Sequence, residues 1–401
     1  MAARPTVWVL LGRGAGGNAQ MTSLAAELGW PYETKHLVYN RISHCPNLLL
    51  GASVLGVDRR RSSALDPPWP DLVIAGSRRS APVARWIRKH SDGRARLVHL
   101  MHTQAPWEHF DLIITTPQYR LPERPNILHN TAPLTRVDPQ RLAAAVADWA
   151  PRLAHLPRPF TALLVGGNSS TFLLDAVTAA RLGREVGAQV RASGGALLLT
   201  TSARTPAAAA DALLAAIDCP AHVYRWRAND ADNPYFAYLA LADRFVVTAD
   251  SASLVAEACM MENPVQIFEW PVRPDANSGV KGLLRRWGEA RDRQARSGRT
   301  PSRFARLYDR LVHLGLIKPA RDFDGYHRAL RARGLLSALG ETVDSPARRP
   351  LDDMQRALDR IHALYPERVG HPDVRDHSPR RPAPLSAPPP LDLASRAALG
   401  K

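Results

Sequence analysis

The stretch Asp250-Ser-Ala-Ser-Leu-Val-Ala-Glu257 sets three polar residues, Asp250, Ser251 and Ser253, ahead of one acid in an otherwise apolar, helix-forming run. Side-chain oxygens of these types cap helix N-termini. The free N–H groups of a first helical turn, with the positive end of the helix dipole, make a seat for a diphosphate. Glu257 falls about one and a half turns into the helix, within reach of ribose hydroxyls while phosphates stay at the helix start. The Asp250 carboxylate opposes this reading because it repels an anion, and the same pattern suits an ordinary capped helix of an α/β domain.

Four other segments carry residue types with chemistry, each just past an apolar strand-like run. Gly12-Arg-Gly-Ala-Gly-Gly-Asn-Ala-Gln20 is a glycine loop that lets a backbone approach a ligand. As a dinucleotide fingerprint it is poor, since the third glycine would fall at Ala19. Gly76-Ser-Arg-Arg-Ser80 offers Arg78 or Arg79 to an anionic group. Gly166-Gly-Asn-Ser-Ser170 is a turn that admits a phosphate, with its helix starting near Ser169 or Ser170, and Thr200-Thr-Ser-Ala-Arg-Thr-Pro206 combines hydroxyls with Arg204, a guanidinium suited to a diphosphate. His102, Glu108 and Asp111 follow a strand in the first half and are the candidates for a general base.

These loops need strands to hold them. Val7–Leu11, Leu72–Ala75, Leu97–Met101 and Leu112–Thr115 read as strands, with helices at Met21–Leu28 and Ala81–Lys89. After the Pro-rich Leu156–Pro159, strands are expected at Thr161–Val165, Ala196–Thr200, His222–Arg225, Phe245–Thr248 and Pro264–Phe268, with helices near 170–192, 207–217, 234–242 and 253–261. The alternation predicts an α/β fold of two Rossmann-like domains facing a cleft: residues 1–155, residues 156–340 with a basic helical segment, and a Pro-rich tail, 341–401, extended or disordered apart from a helix at 351–364.

The net charge of +16 is concentrated. Residues 281–340 hold fifteen Lys/Arg against five Asp/Glu. There Phe304, Leu307, Tyr308, Leu311 and Leu314 recur at helical spacing between arginines, an amphipathic basic helix that suits either docking by its apolar stripe or peripheral membrane contact. Nucleic acid is disfavoured, with no zinc finger or aromatic RNA-binding signature. Cys45, Cys219 and Cys259 are too scattered for a zinc motif or disulfide framework, and no metal cluster is evident. No apolar run of about 18 residues and no cleavable signal pattern is present, so a cytoplasmic protein is expected, with residues 281–340 able to meet the inner face of the membrane.

The ordered set Gly12–Gln20, Pro70–Ser80, Val165–Gly167, Thr201–Pro206, Asn233–Tyr235 and Val247–Ser253 resembles the mitochondrial-fission-factor family, named from a plant protein and abundant in bacteria. That family in turn resembles GT-B glycosyltransferases, including the transferase that adds N-acetylglucosamine to lipid-linked peptidoglycan precursor. The resemblance implies a nucleotide-diphosphate sugar as substrate, with no cofactor and no metal. It puts ribose on Glu257 and phosphate on Ser251 and Ser253, with Arg204 as charge partner and Gly166 and Gly167 in the nucleotide loop. It gives the acceptor, lipid-linked or anionic, to Gly14, Gly16, Gly17, Asn18 and Gln20, beside Arg78. It also leaves room for a non-catalytic adaptor, as the plant namesake is understood to be, or a hydrolysing sugar-nucleotide epimerase.

Overall fold

Two successive sets of strands each close on one parallel sheet. The computed structural model describes residues 4–169, 171–270, 279–296, 302–319, 321–341 and 349–366. Ser170 and the tail beyond 366, on which two of the expectations fall, lie outside the described residues.

The first sheet comprises β1 (Val7–Leu11), β2 (Tyr32–His36), β3 (Leu72–Ala75), β4 (Arg96–Leu100), β5 (Leu112–Thr115) and β6 (Ile127–His129), in the order β2-β1-β3-β4-β5-β6. All its pairings are parallel. Its helices are α1 (Ala15–Glu27), the short α2 (Asn47–Leu50) and α3 (Ser80–His90), and α4 (Pro139–Leu153) leads out of it. The apolar runs VWVLL, LVIA and LIIT are buried along their whole length, as strands covered on both faces must be. β2 and β6 were not legible in the sequence: YETKH is polar because it is an edge strand, largely exposed, and β6 is three residues long.

The second sheet comprises β7 (Phe160–Leu164), β8 (Ala196–Thr200), β9 (Ala221–Tyr224), β10 (Arg244–Thr248), β11 (Val265–Phe268) and β12 (Ser337–Ala338), in the order β12-β11-β10-β7-β8-β9. Its helices are α5 (Ala176–Ala192), α6 (Ala207–Ala215), α7 (Tyr235–Leu241) and α8 (Ala252–Met260), followed by α9 (Gly279–Arg296), α10 (Arg303–His313), α11 (Phe323–Arg331) and α12 (Asp353–His362). Read from its first strand, this is the Rossmann order 3-2-1-4-5-6. The α/β class with two Rossmann-like sheets is therefore as expected.

Chain order and packing part company at both ends of the second half. Trp149 and Leu153 of α4 lie in the core of the second sheet, so the chain has changed sheets before the Pro-rich stretch at 156–159. Tyr308 and Val312 of α10 return to the core of the first. α12 also returns: Asp353 accepts the N–H groups of Thr131 (2.7 Å) and Ala132 (2.9 Å), and the Tyr365 hydroxyl donates to the Asp71 carbonyl at 2.8 Å. No described helix is long and apolar enough to cross a membrane.

Candidate functional site

In a parallel sheet the crevice between strands whose connections leave in opposite directions opens at the carboxyl edge. In the second sheet that point lies between β7 and β10. It is where Gly166-Gly167 and Asp250–Ser253 meet.

Asp250 is buried, and its carboxylate organises the junction. It accepts the Thr248 hydroxyl (2.8 Å) and the Gly167 N–H (2.9 Å), and lies 2.7 Å from the Arg204 guanidinium. Thr248 Oγ1 in turn accepts the Gly166 N–H at 2.7 Å. A Cβ on Gly166 would fall 2.2 Å from Asp250 Oδ1, and one on Gly167 2.2 Å from the Arg204 carbonyl oxygen, so the close approach of three loops requires glycine at both places. The Thr201–Pro206 turn is tied to the same point through Ser202, whose hydroxyl donates to the Gly166 carbonyl at 2.7 Å.

Arg204 is not a free cation: besides Asp250 it donates to the carbonyls of Gly167 (3.3 Å) and Asn168 (3.2 Å). The Asp250 charge that opposed anion binding is in turn matched by Arg204. The positive element left at the crevice is the start of α8. Ser251 stands at its N-cap without a side-chain cap bond, so first-turn N–H groups have no intrahelical acceptor.

Beside it opens a cavity of ≈ 540 Å³, lined by Val165, Thr200–Ser202, Trp226, Asp230, Ala231, Asn233, Tyr235, Phe236, Leu254, Glu257 and Arg141. Glu257, one and a half turns along α8, accepts the Tyr235 hydroxyl. Burial pushes the Glu257 carboxyl above the usual range, while the Tyr235 hydrogen bond and Arg141 pull it back. Burial first, then Glu257, drives the Tyr235 phenol well above its ordinary value. The Arg141 guanidinium lies 3.8 Å from the centre of the Phe236 ring. A carboxylate acceptor, an exposed indole and a half-buried phenol in one cavity of mixed polar and apolar lining fit a ribose and a planar base. Arg141 carried no signal in the sequence because α4 belongs by chain order to the first half, and Trp226, just past β9, had no motif around it to set it apart.

The first sheet has its own crevice, between β1 and β3. The glycine segment is not a loop there: α1 begins at Ala15, so Gly16 and Gly17 form its first turn, with Gly14 at the N-cap. Asn18 is committed to the loop itself, its Oδ1 accepting the Gly12 N–H (3.0 Å) and its Nδ2 donating to the Gly12 carbonyl (2.7 Å). Gln20 is buried and folds back onto the Gly16 carbonyl at 3.2 Å. The side-chain amides of these two bond within the segment, while the backbone of Gly14 and Gly16 is exposed. A Cβ on Gly16 would be 3.4 Å from Ser253 Oγ. The uncapped start of α1 thus meets the uncapped start of α8, two positive helix ends on either side of one crevice.

The three candidate bases stand in different surroundings. Asp111 precedes β5, at the amino edge of the sheet, and pairs with Arg88 and with Arg96 (3.0 Å) while accepting the Leu97 N–H at 2.7 Å. Glu108 is exposed, 3.3 Å from His313 Nε2. His102 is at the carboxyl edge and buried, but its Nδ1 accepts the Gln104 N–H at 2.9 Å. Burial, then His99 and Lys318, lower its pKa to about 4. The neutral ring so oriented carries its proton on Nε2, which has no partner. His102 is a donor, held by a backbone with positive φ at Met101 (70°) and Gln104 (48°), conformations that cost on the order of 1–3 kcal/mol each. Arg78 follows β3 and gives its terminal nitrogens to the carbonyls of Cys45 (2.8 Å) and Ser43 (2.5 Å).

Residues 15–365 match the family model described as Mitochondrial fission ELM1. The chain is 28% identical to the mitochondrial fission protein ELM1 of Arabidopsis thaliana over 241 residues, 55% of this chain and 56% of that protein, so it spans little more than half the plant relative's length. It is 24% identical over 298 residues to an uncharacterized protein of Rickettsia prowazekii, 66% of this chain and 83% of the other. Among solved structures it is similar to MurG of Acinetobacter baumannii, with a TM-score of 0.39 and 14% identity over 90% of this chain and 100% of that one, a likeness too slight to carry an argument about activity. The match along most of its length shows that the chain belongs to the Mitochondrial fission ELM1 family.

Proposed function

We propose that the protein binds a nucleotide-diphosphate sugar at the second sheet and transfers the sugar to an acceptor held at the first. The observation that carries this reading is the cavity beside α8, in which Glu257 and Tyr235 lie next to an uncapped helix start. The base and ribose occupy the cavity, with Glu257 accepting from ribose hydroxyls. The diphosphate lies at Ser251–Ser253, where first-turn N–H groups and hydroxyls face its oxygens.

In the transfer, the oxygen of the acceptor hydroxyl forms a bond to the anomeric carbon as the bond from that carbon to the diphosphate breaks, and the hydroxyl proton leaves to the departing diphosphate or to solvent. Negative charge grows on the departing oxygen and is stabilised by the α8 start. Arg204, already paired with Asp250, acts by fixing the loops rather than by meeting that charge. The start of α1, opposite Ser253, adds a second positive helix end.

The acceptor in this reading is anionic or lipid-linked. α10 supports a membrane approach: it docks by Ala305, Tyr308 and Val312, while Phe304 and Leu307 remain exposed among Arg303, Arg306 and Arg310. Calorimetric titration with UDP, GDP, CMP and ADP sugars tests the donor half. Saturable binding that Glu257→Gln abolishes is the expected result. Silence across the panel from folded protein would instead favour a binding surface that recruits another protein.

A further inference from the structure

The carboxyl edge of the first sheet collects positive charge. Arg78 and Arg79 follow β3; Lys318 and Arg321 come from the connection between α10 and α11. That connection is fixed over the sheet at two points. The Asp322 N–H donates to the carbonyl of Gln118, just past β5, at 3.0 Å. Gly315 lies so close to Gln104, past β4, that a Cβ would be 2.1 Å from its carbonyl oxygen, and its φ of +72° also calls for glycine.

Among the described residues none of these four cations has a carboxylate partner. Arg78 bonds only to carbonyls. Arg79 and Arg321 lie against the rings of Tyr39 and Tyr119, at 5.8 and 5.6 Å. Lys318 is exposed and makes no described hydrogen bond. Asp322, the adjacent acid, is committed to Arg120 (3.5 Å) and to the Gly325 N–H (2.9 Å). Desolvation of the covered part of each side chain, and then neighbouring cations, lower both Arg78 and Lys318, Arg79 acting on the first, Arg321 and Arg78 on the second, although the Lys318 side chain still reaches solvent. Asn47 Nδ2 donates to the carbonyls of Arg78 (2.8 Å) and Thr103 (3.1 Å), which holds the Arg78 turn beside the 102–104 segment that Gly315 also contacts. His102, on which Lys318 also acts, brings an unpartnered buried Nε2–H to the same edge.

Several cations and an orphaned N–H donor suit an anion with several oxygens and more than one charge; a single carboxylate would match only one of them. We propose that Arg78, Arg79, Lys318, Arg321 and the His102 Nε2–H form a phosphate-binding subsite that takes the phosphate or diphosphate group of the acceptor. Its service to an acceptor rests on the glycosyl-transfer reading above; the anion site itself does not.

The test titrates full-length protein with inorganic pyrophosphate, and separately with phosphatidylcholine vesicles with and without phosphatidic acid. Lys318→Gln and Arg321→Gln alter exposed side chains and leave the melting temperature unchanged. Each weakens pyrophosphate binding on the order of tenfold, the double variant abolishes it, and Glu257→Gln leaves it intact. Binding confined to phosphatidic acid vesicles, with the same response to the variants, assigns the site to a lipid-borne phosphate. A wild type that binds neither probe, or a double variant that binds as tightly as wild type, overturns the proposal. If UDP sugars fail to bind while the pyrophosphate pattern holds, the nucleotide reading falls and the anion site stands.

Discussion

The Asp250 carboxylate lies 2.7 Å from the Arg204 guanidinium, and through that pair three loops at the carboxyl edge of the second sheet become one unit. Removing the acid orphans the Gly167 N–H and the Thr248 hydroxyl together. Asp250→Ala is expected to lower unfolding free energy by about 2–4 kcal/mol. Arg204→Ala, at a partly exposed side chain, should lower it by only about 1 kcal/mol and weaken nucleotide binding by less than tenfold. Denaturant unfolding and calorimetry of the two variants measure both. An Arg204→Ala variant that folds normally but loses nucleotide binding altogether would return that arginine to the diphosphate.

Glu257 links nucleotide binding to pH. Burial raises its carboxyl above the usual range, so near the raised value part of the population is protonated. A ribose diol favours the ionised acceptor, and binding releases a proton. Affinity therefore climbs as pH rises through the raised value, then levels off. Calorimetry of the wild type in buffers of different ionisation enthalpy, over about pH 5 to 8, reads the proton, and a binding enthalpy independent of the buffer near the raised value would contradict the link. For the free protein the sign is opposite: the raised pKa favours the fold at low pH, and that contribution is lost as pH rises through the folded value.

Much of this architecture was legible in the sequence, and the losses have physical causes. β-branched and apolar runs such as Phe245–Thr248 and Leu72–Ala75 showed the central strands, because strands covered on both faces have no polar side. Edge strand β2 has an exposed face and reads as polar loop. The Asp250–Ser253 junction was found because capping residues are local to it. Its charge balance was not, since Arg204 is 46 residues away in sequence and pairs only after β7, β8 and β10 align. The tautomer of His102 likewise depends on a turn that places the Gln104 N–H on Nδ1.

Three buried histidines should make the fold acid-sensitive. Burial is the first cause holding His99, His102 and His327 each down to about 4. The unfolded chain protonates them near 6.5, so their contribution is present above that pH and lost as pH falls toward 4, up to about 3 kcal/mol for each. The thermal midpoint is expected to be flat above neutrality and to drop steeply between about pH 6.5 and 4. His327→Phe should flatten that drop, and a variant as acid-sensitive as wild type would remove His327 from the account.

Asp353 anchors α12 on the 131–132 backbone with two hydrogen bonds. Asp353→Ala leaves two N–H groups without an acceptor and is expected to cost about 2–4 kcal/mol. Tyr365→Phe, losing one bond to the Asp71 carbonyl, costs about 1 kcal/mol. Equilibrium unfolding of both variants checks the order, and equal losses would contradict it.

The most direct measurement is calorimetric titration of the full chain with UDP and with UDP sugars, wild type beside Glu257→Gln and Tyr235→Phe. The account predicts one saturable site per chain, lost in Glu257→Gln and weakened on the order of tenfold in Tyr235→Phe, with all three proteins equally folded. Binding unchanged in Glu257→Gln would contradict it, because the nucleotide would then lie outside the cavity beside α8.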